Sequence, residues 1–259
     1  MTQNTPYASA ANATSAAAPR ILVIEHQRSC DVAFLGERLL SHGAELTVTG
    51  PDTGADLPDT LEGFDALVVL GGSMDPDSDD IAPWLPHARA LMREALDAEL
   101  PLLGVCLGAQ MLALVGGGTV QPSPTPELGV YDVNFHPTAA ADPLFSGLEI
   151  RPLGQVRSLQ WHFLEVTELP AGAVSLASSP RCANQAFRVG KNAWGVQFHP
   201  ESHVRTAETW VAQSPDELAR VGGDGEAIIA ELAAEVDDIQ RVWAEVFDRF
   251  LQLVTSRAA

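Results

Sequence analysis

Residues 102–110 read Leu-Leu-Gly-Val-Cys-Leu-Gly-Ala-Gln. A short apolar run ends in Cys106, and helix-forming residues begin immediately after it. Glycines two positions before and two after the cysteine permit a sharp turn and close packing. This is the architecture of a nucleophile elbow, with cysteine in place of serine. A helix N-terminus presents free N–H groups and positive potential, which favours a thiolate. The Leu107 N–H would lie where a developing oxyanion could accept it. Taken alone, the pattern fits a buried structural cysteine equally well.

Outward from the elbow, apolar runs alternate with helical patterns. Ile21–Ile24, Leu46–Val48, Ala66–Leu70 and Leu102–Val105 read as strands. Helices are expected around Val32, Leu35 and Leu39, along one face of Leu85–Leu96, and over Ala109–Val115, capped by Gly116-Gly117-Gly118. Such alternation implies a parallel sheet covered on both faces. Beyond about residue 130 the strands follow one another with short turns: Val130–Asn134, Ser158–Trp161, Val174–Ser178, Gln185–Val189 and Ala193–Phe198. The expected fold is therefore α/β, with an open, mixed, mostly parallel sheet and helices on both faces. The segment from about 215 to 254 reads as helix, with a long apolar stripe from Ile228 to Phe250. Residues 1–19, rich in Ala, Ser, Thr and Asn, are expected to be a disordered tail. Residues 20–259 are expected to form a single domain that includes the C-terminal helix.

Two further stretches carry chemistry. Gly195-Val196-Gln197-Phe198-His199-Pro200-Glu201 ends a strand in an imidazole, with a carboxylate two residues on. A thiol nucleophile needs such a base, and the base needs an orienting partner. Val69-Leu70-Gly71-Gly72-Ser73-Met74 ends a strand in paired glycines, at the sheet edge where open α/β folds bind ligands. Its backbone N–H groups could complete an oxyanion hole.

Composition narrows the field. The chain has 259 residues, with 15 Lys and Arg against 34 Asp and Glu, a net charge of −19. Such a chain should repel nucleic acid and anionic membranes. No apolar run is long enough to span a bilayer, and the N-terminus lacks the features of a secretory signal. No phosphate-binding G-x-x-x-x-G-K-[ST] loop occurs. Three cysteines with no C-x-x-C spacing point away from a disulfide framework or a zinc site, so neither metal nor cofactor is expected. The cytoplasm is the expected compartment.

Together the three stretches GGSM, GVCLGAQ and GVQFHPE, in that order, resemble the class I glutamine amidotransferases, whose pattern is Gly-Gly-Pro, G-x-C-x-G-x-Q and G-x-Q-F-H-P-E. The similarity looks closest to the stand-alone, GMP synthase-like branch and covers nearly everything after the tail. It implies a flavodoxin-like fold. It also implies that Cys106 forms a γ-glutamyl thioester and releases ammonia, while His199 moves the proton and Glu201 orients it. By the same resemblance the N–H groups of Gly72 and Leu107 hold the oxyanion, and Gln110 helps bind glutamine. There are departures. Ser73 replaces the family's proline, and Phe163-Leu164-Glu165 replaces a Gly-Asp that touches the substrate in related enzymes. No ATP-pyrophosphatase loop is present, so ammonia is expected to pass to a separate synthetase or acceptor subunit, or to free solution. Two alternatives stand beside this reading: a γ-glutamyl peptide or conjugate hydrolase of the same fold, and a non-catalytic regulatory subunit.

Overall fold

The computed structural model describes residues 17–148 and 155–258. The expected tail thus lies almost wholly outside the described residues. Nine strands form one sheet: β1 (Arg20–Ile24), β2 (Glu45–Thr49), β3 (Ala66–Val69), β4 (Leu102–Val105), β5 (Thr119–Phe135), β6 (Gln155–Glu168), β7 (Val174–Ser178), β8 (Ala186–Val189) and β9 (Ala193–Val196). Their order is β2-β1-β3-β4-β9-β8-β7-β5-β6. The pairs from β2 to β9 are parallel, and every pair from β9 to β6 is antiparallel. The sheet is mixed, as expected, but the antiparallel half is as large as the parallel one. The helices are α1 (Ala33–Ser41), α2 (Leu85–Asp97), α3 (Leu107–Gly116), α4 (Val204–Gln213), α5 (Pro215–Val221) and α6 (Gly225–Ala258).

Both faces of β1, β3, β4 and β9 are buried, successive side chains of each strand entering opposite cores. Ile21 and Val23 of β1 join the core beneath α1 and α6, while Leu22 and Ile24 join the core beneath α2 and α3. This explains the uninterrupted apolar runs of β1, β3 and β4. The stripe on α6 is core: Leu232, Trp243, Phe247, Phe250 and Val254 are fully buried. Arg38 of α1 clamps α6 with two hydrogen bonds to Asp248, at 2.7 and 2.6 Å.

Three elements differ from expectation. The C-terminal helix is two helices, because Gly222 turns the chain in a left-handed conformation at φ 68°. Helix α4 was not expected; of its ten residues Thr206, Ala207 and Trp210 are buried. Strand β5 begins at Thr119, eleven residues earlier than expected. Its first half contains Pro122, Pro124 and Pro126, and the register against β6 shifts between Pro122 and Glu127. Beyond that contact with β6, β5 meets β7 only at Asn134 and Phe135, so the missing proline N–H groups cost no ladder bond on that side. Helix α3 ends at Gly117, left-handed at φ 90°, as the triple glycine predicts.

Candidate active site

Strands β3, β4 and β9 are adjacent and parallel, so their carboxyl ends open on one rim. β3 leads into Gly71-Gly72, β4 into Cys106, and β9 stops three residues before His199. The register Val105↔Val196 sets the last two side by side. Three motifs that are far apart in sequence therefore converge at a carboxyl edge, where open α/β sheets form their crevices.

Cys106 sits between β4 and α3 with φ 50° and ψ −103°, a conformation unusual for any residue with a side chain. The flanking glycines make this turn possible. A Cβ on Gly108 would lie 2.0 Å from the Val69 carbonyl oxygen, and one on Gly104 would lie 2.6 Å from the Gly108 backbone. The strand and helix approach too closely for any larger residue.

His199 and Glu201 are 3% and 2% exposed. Nδ1 of His199 lies 2.8 Å from Oε1 of Glu201. A carboxylate only accepts, so Nδ1 carries a hydrogen and the other ring nitrogen is left for the sulfur. Burial alone would lower the imidazole pKa. The Glu201 carboxylate, the Cys106 sulfur and hydrogen bonds to both outweigh burial and raise it from 6.5 to about 10. The carboxylate and the sulfur thus favour the protonated ring. The Trp210 ring packs edge-on against it, with centroids 4.6 Å apart.

The sulfur has two more neighbours. Gln197 Nε2 donates to it at 3.6 Å, and the Trp161 carbonyl oxygen lies 3.9 Å away. Gln110 Nε2 donates to Gln197 Oε1 at 3.3 Å and to the Leu164 carbonyl at 3.2 Å. Both amide hydrogens of Gln110 are therefore spent on the protein, and the residue lines the cavity above Cys106. The N–H groups of Gly72 and Leu107 meet no acceptor among the described residues. A Cβ on Gly72 would lie 2.8 Å from Leu107 Cδ2, so the two oxyanion candidates are neighbours.

The cavity measures about 610 Å³. Phe163 and Leu164 line it, but Glu165 does not; Ser123 Oγ donates to Glu165 at 3.0 Å instead. The acidic residues that do line it are Asp52 and Glu217, from the loop after β2 and from α5.

A buried cluster behind the 161–164 segment escaped sequence reasoning. Glu127 accepts from Ser179 Oγ at 2.7 Å and Gln185 Nε2 at 2.6 Å, and lies 3.1 Å from His162 Nε2. His162 Nδ1 is 3.0 Å from the Leu164 carbonyl, within β6. The ligand-type atoms of Glu127, His162 and Cys182 lie within 4.8 Å of one another. With both carboxylate oxygens occupied by donors, the group reads as a hydrogen-bonded cluster. Its only sequence signal was a glutamate in a proline-rich strand. Gln197 lay inside a quoted motif yet was assigned no role, and Trp210 gave no chemical signal at all.

The three thiols are buried and unbridged. Burial pushes the Cys30 thiol up and the Cys182 thiol up to about 12. Neither stands at a helix N-terminus beside an imidazole, as Cys106 does. Among the described residues no helix is long and apolar enough to cross a membrane.

Known proteins align with this arrangement. A glutamine amidotransferase from Thermotoga maritima superposes with a TM-score of 0.79 at 27% identity, covering 91% of this chain and 99% of that one. A glutamine-hydrolysing GMP synthase of Christiangramia forsetii is 33% identical over 153 residues, 58% of this chain and 27% of its own. An aminodeoxychorismate synthase of Streptomyces griseus is 37% identical over 188 residues, 71% of this chain and 24% of its own. The chain thus spans about a quarter of the length of these two synthases. The model of the class-I glutamine amidotransferases matches residues 30–214, which takes in the paired glycines, the elbow and the His-Pro-Glu together. On that match the chain belongs to the glutamine amidotransferase class-I family.

Proposed function

We propose that this chain hydrolyses the side-chain amide of glutamine through Cys106 and supplies ammonia for transfer to an acceptor. The observation that carries this reading is an imidazole, fixed by Glu201 at 2.8 Å, beside a sulfur at a helix N-terminus. In the reaction, Sγ of Cys106 bonds to the amide carbon and the carbonyl oxygen takes the negative charge. The N–H groups of Gly72 and Leu107 stabilise that charge. His199 gives its proton to the amide nitrogen, ammonia leaves, and a γ-glutamyl thioester remains. Water then attacks the thioester while His199 takes its proton, and the sulfur departs from glutamate. Gln110, with both its hydrogens committed, offers its carbonyl oxygen to the substrate. The catalytic unit is residues 20–259, since α5 and α6 help wall and support the cavity. Three unbridged thiols favour a reducing compartment such as the cytoplasm.

A second reading keeps the chemistry and changes the leaving group. A cavity of 610 Å³ is within the range of about 300–1,000 Å³ that takes drug-sized ligands. It has room for a γ-glutamyl conjugate as well as for glutamine.

Steady-state turnover of glutamine and of γ-glutamyl dipeptides, with and without candidate synthetases, separates the two. Cys106→Ala is expected to abolish both activities without unfolding the chain. His199→Asn should cost about 10⁴-fold or more, because members of such a unit act together. Normal turnover in either variant would overturn the assignment, and dipeptide cleavage faster by orders of magnitude would establish the second reading.

A further inference from the structure

We infer that Gln27, in the β1–α1 connection, is a positioning residue that holds the oxyanion loop in its working geometry. The inference rests on the amide-hydrolysis reading above. The loop has little else to fix it. Its entry is anchored at Leu70, whose N–H donates to the Ile24 carbonyl at 3.0 Å and whose carbonyl accepts from the Gly108 N–H at 3.2 Å. Gly71 and Gly72 follow, two residues with the widest backbone freedom of any. Among the described residues, Ser73 is the one member of 71–74 whose N–H finds a protein acceptor, and that acceptor is Gln27 Oε1 at 2.9 Å.

The amide of Gln27 is itself oriented. Its nitrogen donates to Ser29 Oγ at 2.8 Å and to Cys30 Sγ at 3.3 Å. Turned the other way, the amide would set its NH₂ against the Ser73 N–H, donor to donor. The carbonyl therefore faces Ser73. The two glycines that frame the oxyanion site are held from both sides, by the sheet at Leu70 and by Gln27 at Ser73.

The same connection reaches the other half of the site. The Ser29 carbonyl accepts from Trp210 Nε1 at 2.8 Å, and Trp210 packs on His199. Residues 27–30 thus bridge the loop that would stabilise the oxyanion and the wall behind the general base. The contact depends on residue 73 having an N–H. A proline there would have none and would stiffen the backbone by itself. With serine at that position, the restraint comes from a side chain 46 residues earlier.

The test is a double-mutant cycle on the full chain, read by glutamine turnover and by inhibition with glutamate γ-semialdehyde. The thiolate adds to this aldehyde's carbonyl carbon, and the oxygen of the adduct occupies the oxyanion site. Removing an oxyanion donor outright costs about 10²–10³ in kcat. Gln27→Leu only loosens one and is expected to lower kcat about tenfold, to raise the aldehyde Ki by a similar factor, and to leave KM for glutamine within about twofold. In a Ser73→Pro background the same change should cost nothing further, since the N–H it served is gone. An unchanged kcat and Ki, or an equal loss in the Ser73→Pro background, overturns the inference. If Gln27→Leu melts far below the wild type, Gln27→Asn, one methylene too short to reach Ser73, is read the same way. A wild-type protein that forms no aldehyde adduct at Cys106 overturns the underlying amide-hydrolysis reading instead, and this inference with it.

Discussion

Cys106 turns the chain at φ 50° and ψ −103°, where a Cβ crowds its own backbone. Residues held in such regions store about 1–3 kcal/mol, tolerated because the surroundings over-determine them. Here the surroundings are β4, α3 and two glycines that admit no side chain. Cys106→Gly should therefore unfold at higher denaturant than Cys106→Ala, by about 1 kcal/mol once glycine's extra chain entropy is subtracted. Equal midpoints would mean that the turn is unstrained. At this scale the sequence spoke clearly where residue type and local context coincide: a cysteine between glycines, and a histidine two residues before a glutamate. It was silent on Gln27, Gln197, Trp210 and Glu127. Each has a partner from a segment 35 to 181 residues away, and nothing in a glutamine's neighbours along the chain says whose N–H it will meet.

Among the elements, the β4–α3 unit is decided by clearance. A methyl group on Gly108 would stand 2.0 Å from the Val69 carbonyl oxygen, which is main chain and cannot swing aside. Gly108→Ala must push α3 away from β3 and carry Cys106 with it. The expected loss is about 3 kcal/mol of stability, the upper end for overpacking, together with most of the activity. An unchanged denaturation curve would show that α3 can shift without penalty. The parallel strands and their helices were legible because strands buried on both faces are uninterruptedly apolar and amphipathic helices repeat at 3.6 residues. The front half of β5 was not legible. Three prolines argue against a strand, and only its place beside β6, with little on its other side, makes them harmless. Helix α4 was missed as well, although Ala207 and Trp210 are buried.

At the scale of the molecule, one buried base links folding to pH. His26 is 1% exposed; Trp84 Nε1 donates to its Nδ1 at 3.0 Å, and Nε2 has no partner among the described residues. Burial lowers its pKa from 6.5 to about 4. The unfolded chain takes up the proton first, so this contribution is complete above pH 6.5. It is lost as the pH falls from 6.5 towards 4, and amounts to about 3 kcal/mol. Unfolding free energies measured across that window should show the fall, and His26→Asn should flatten it. A wild-type slope that the substitution leaves untouched would assign the loss to other groups.

The amino-acid sequence by itself determined the class of fold and singled out Cys106, His199 and Glu201 as the candidate nucleophile, base and orienting carboxylate. Hydrophobic periodicity and short motifs are local properties, readable over a dozen residues. The tertiary structure alone decided the strand order that sets β3, β4 and β9 side by side, the extent of the antiparallel half, and the second set of residues that position the first. Those depend on which distant segments share a surface. Packing decides that, by burying apolar area and pairing every buried donor it can, over separations that no local pattern spans.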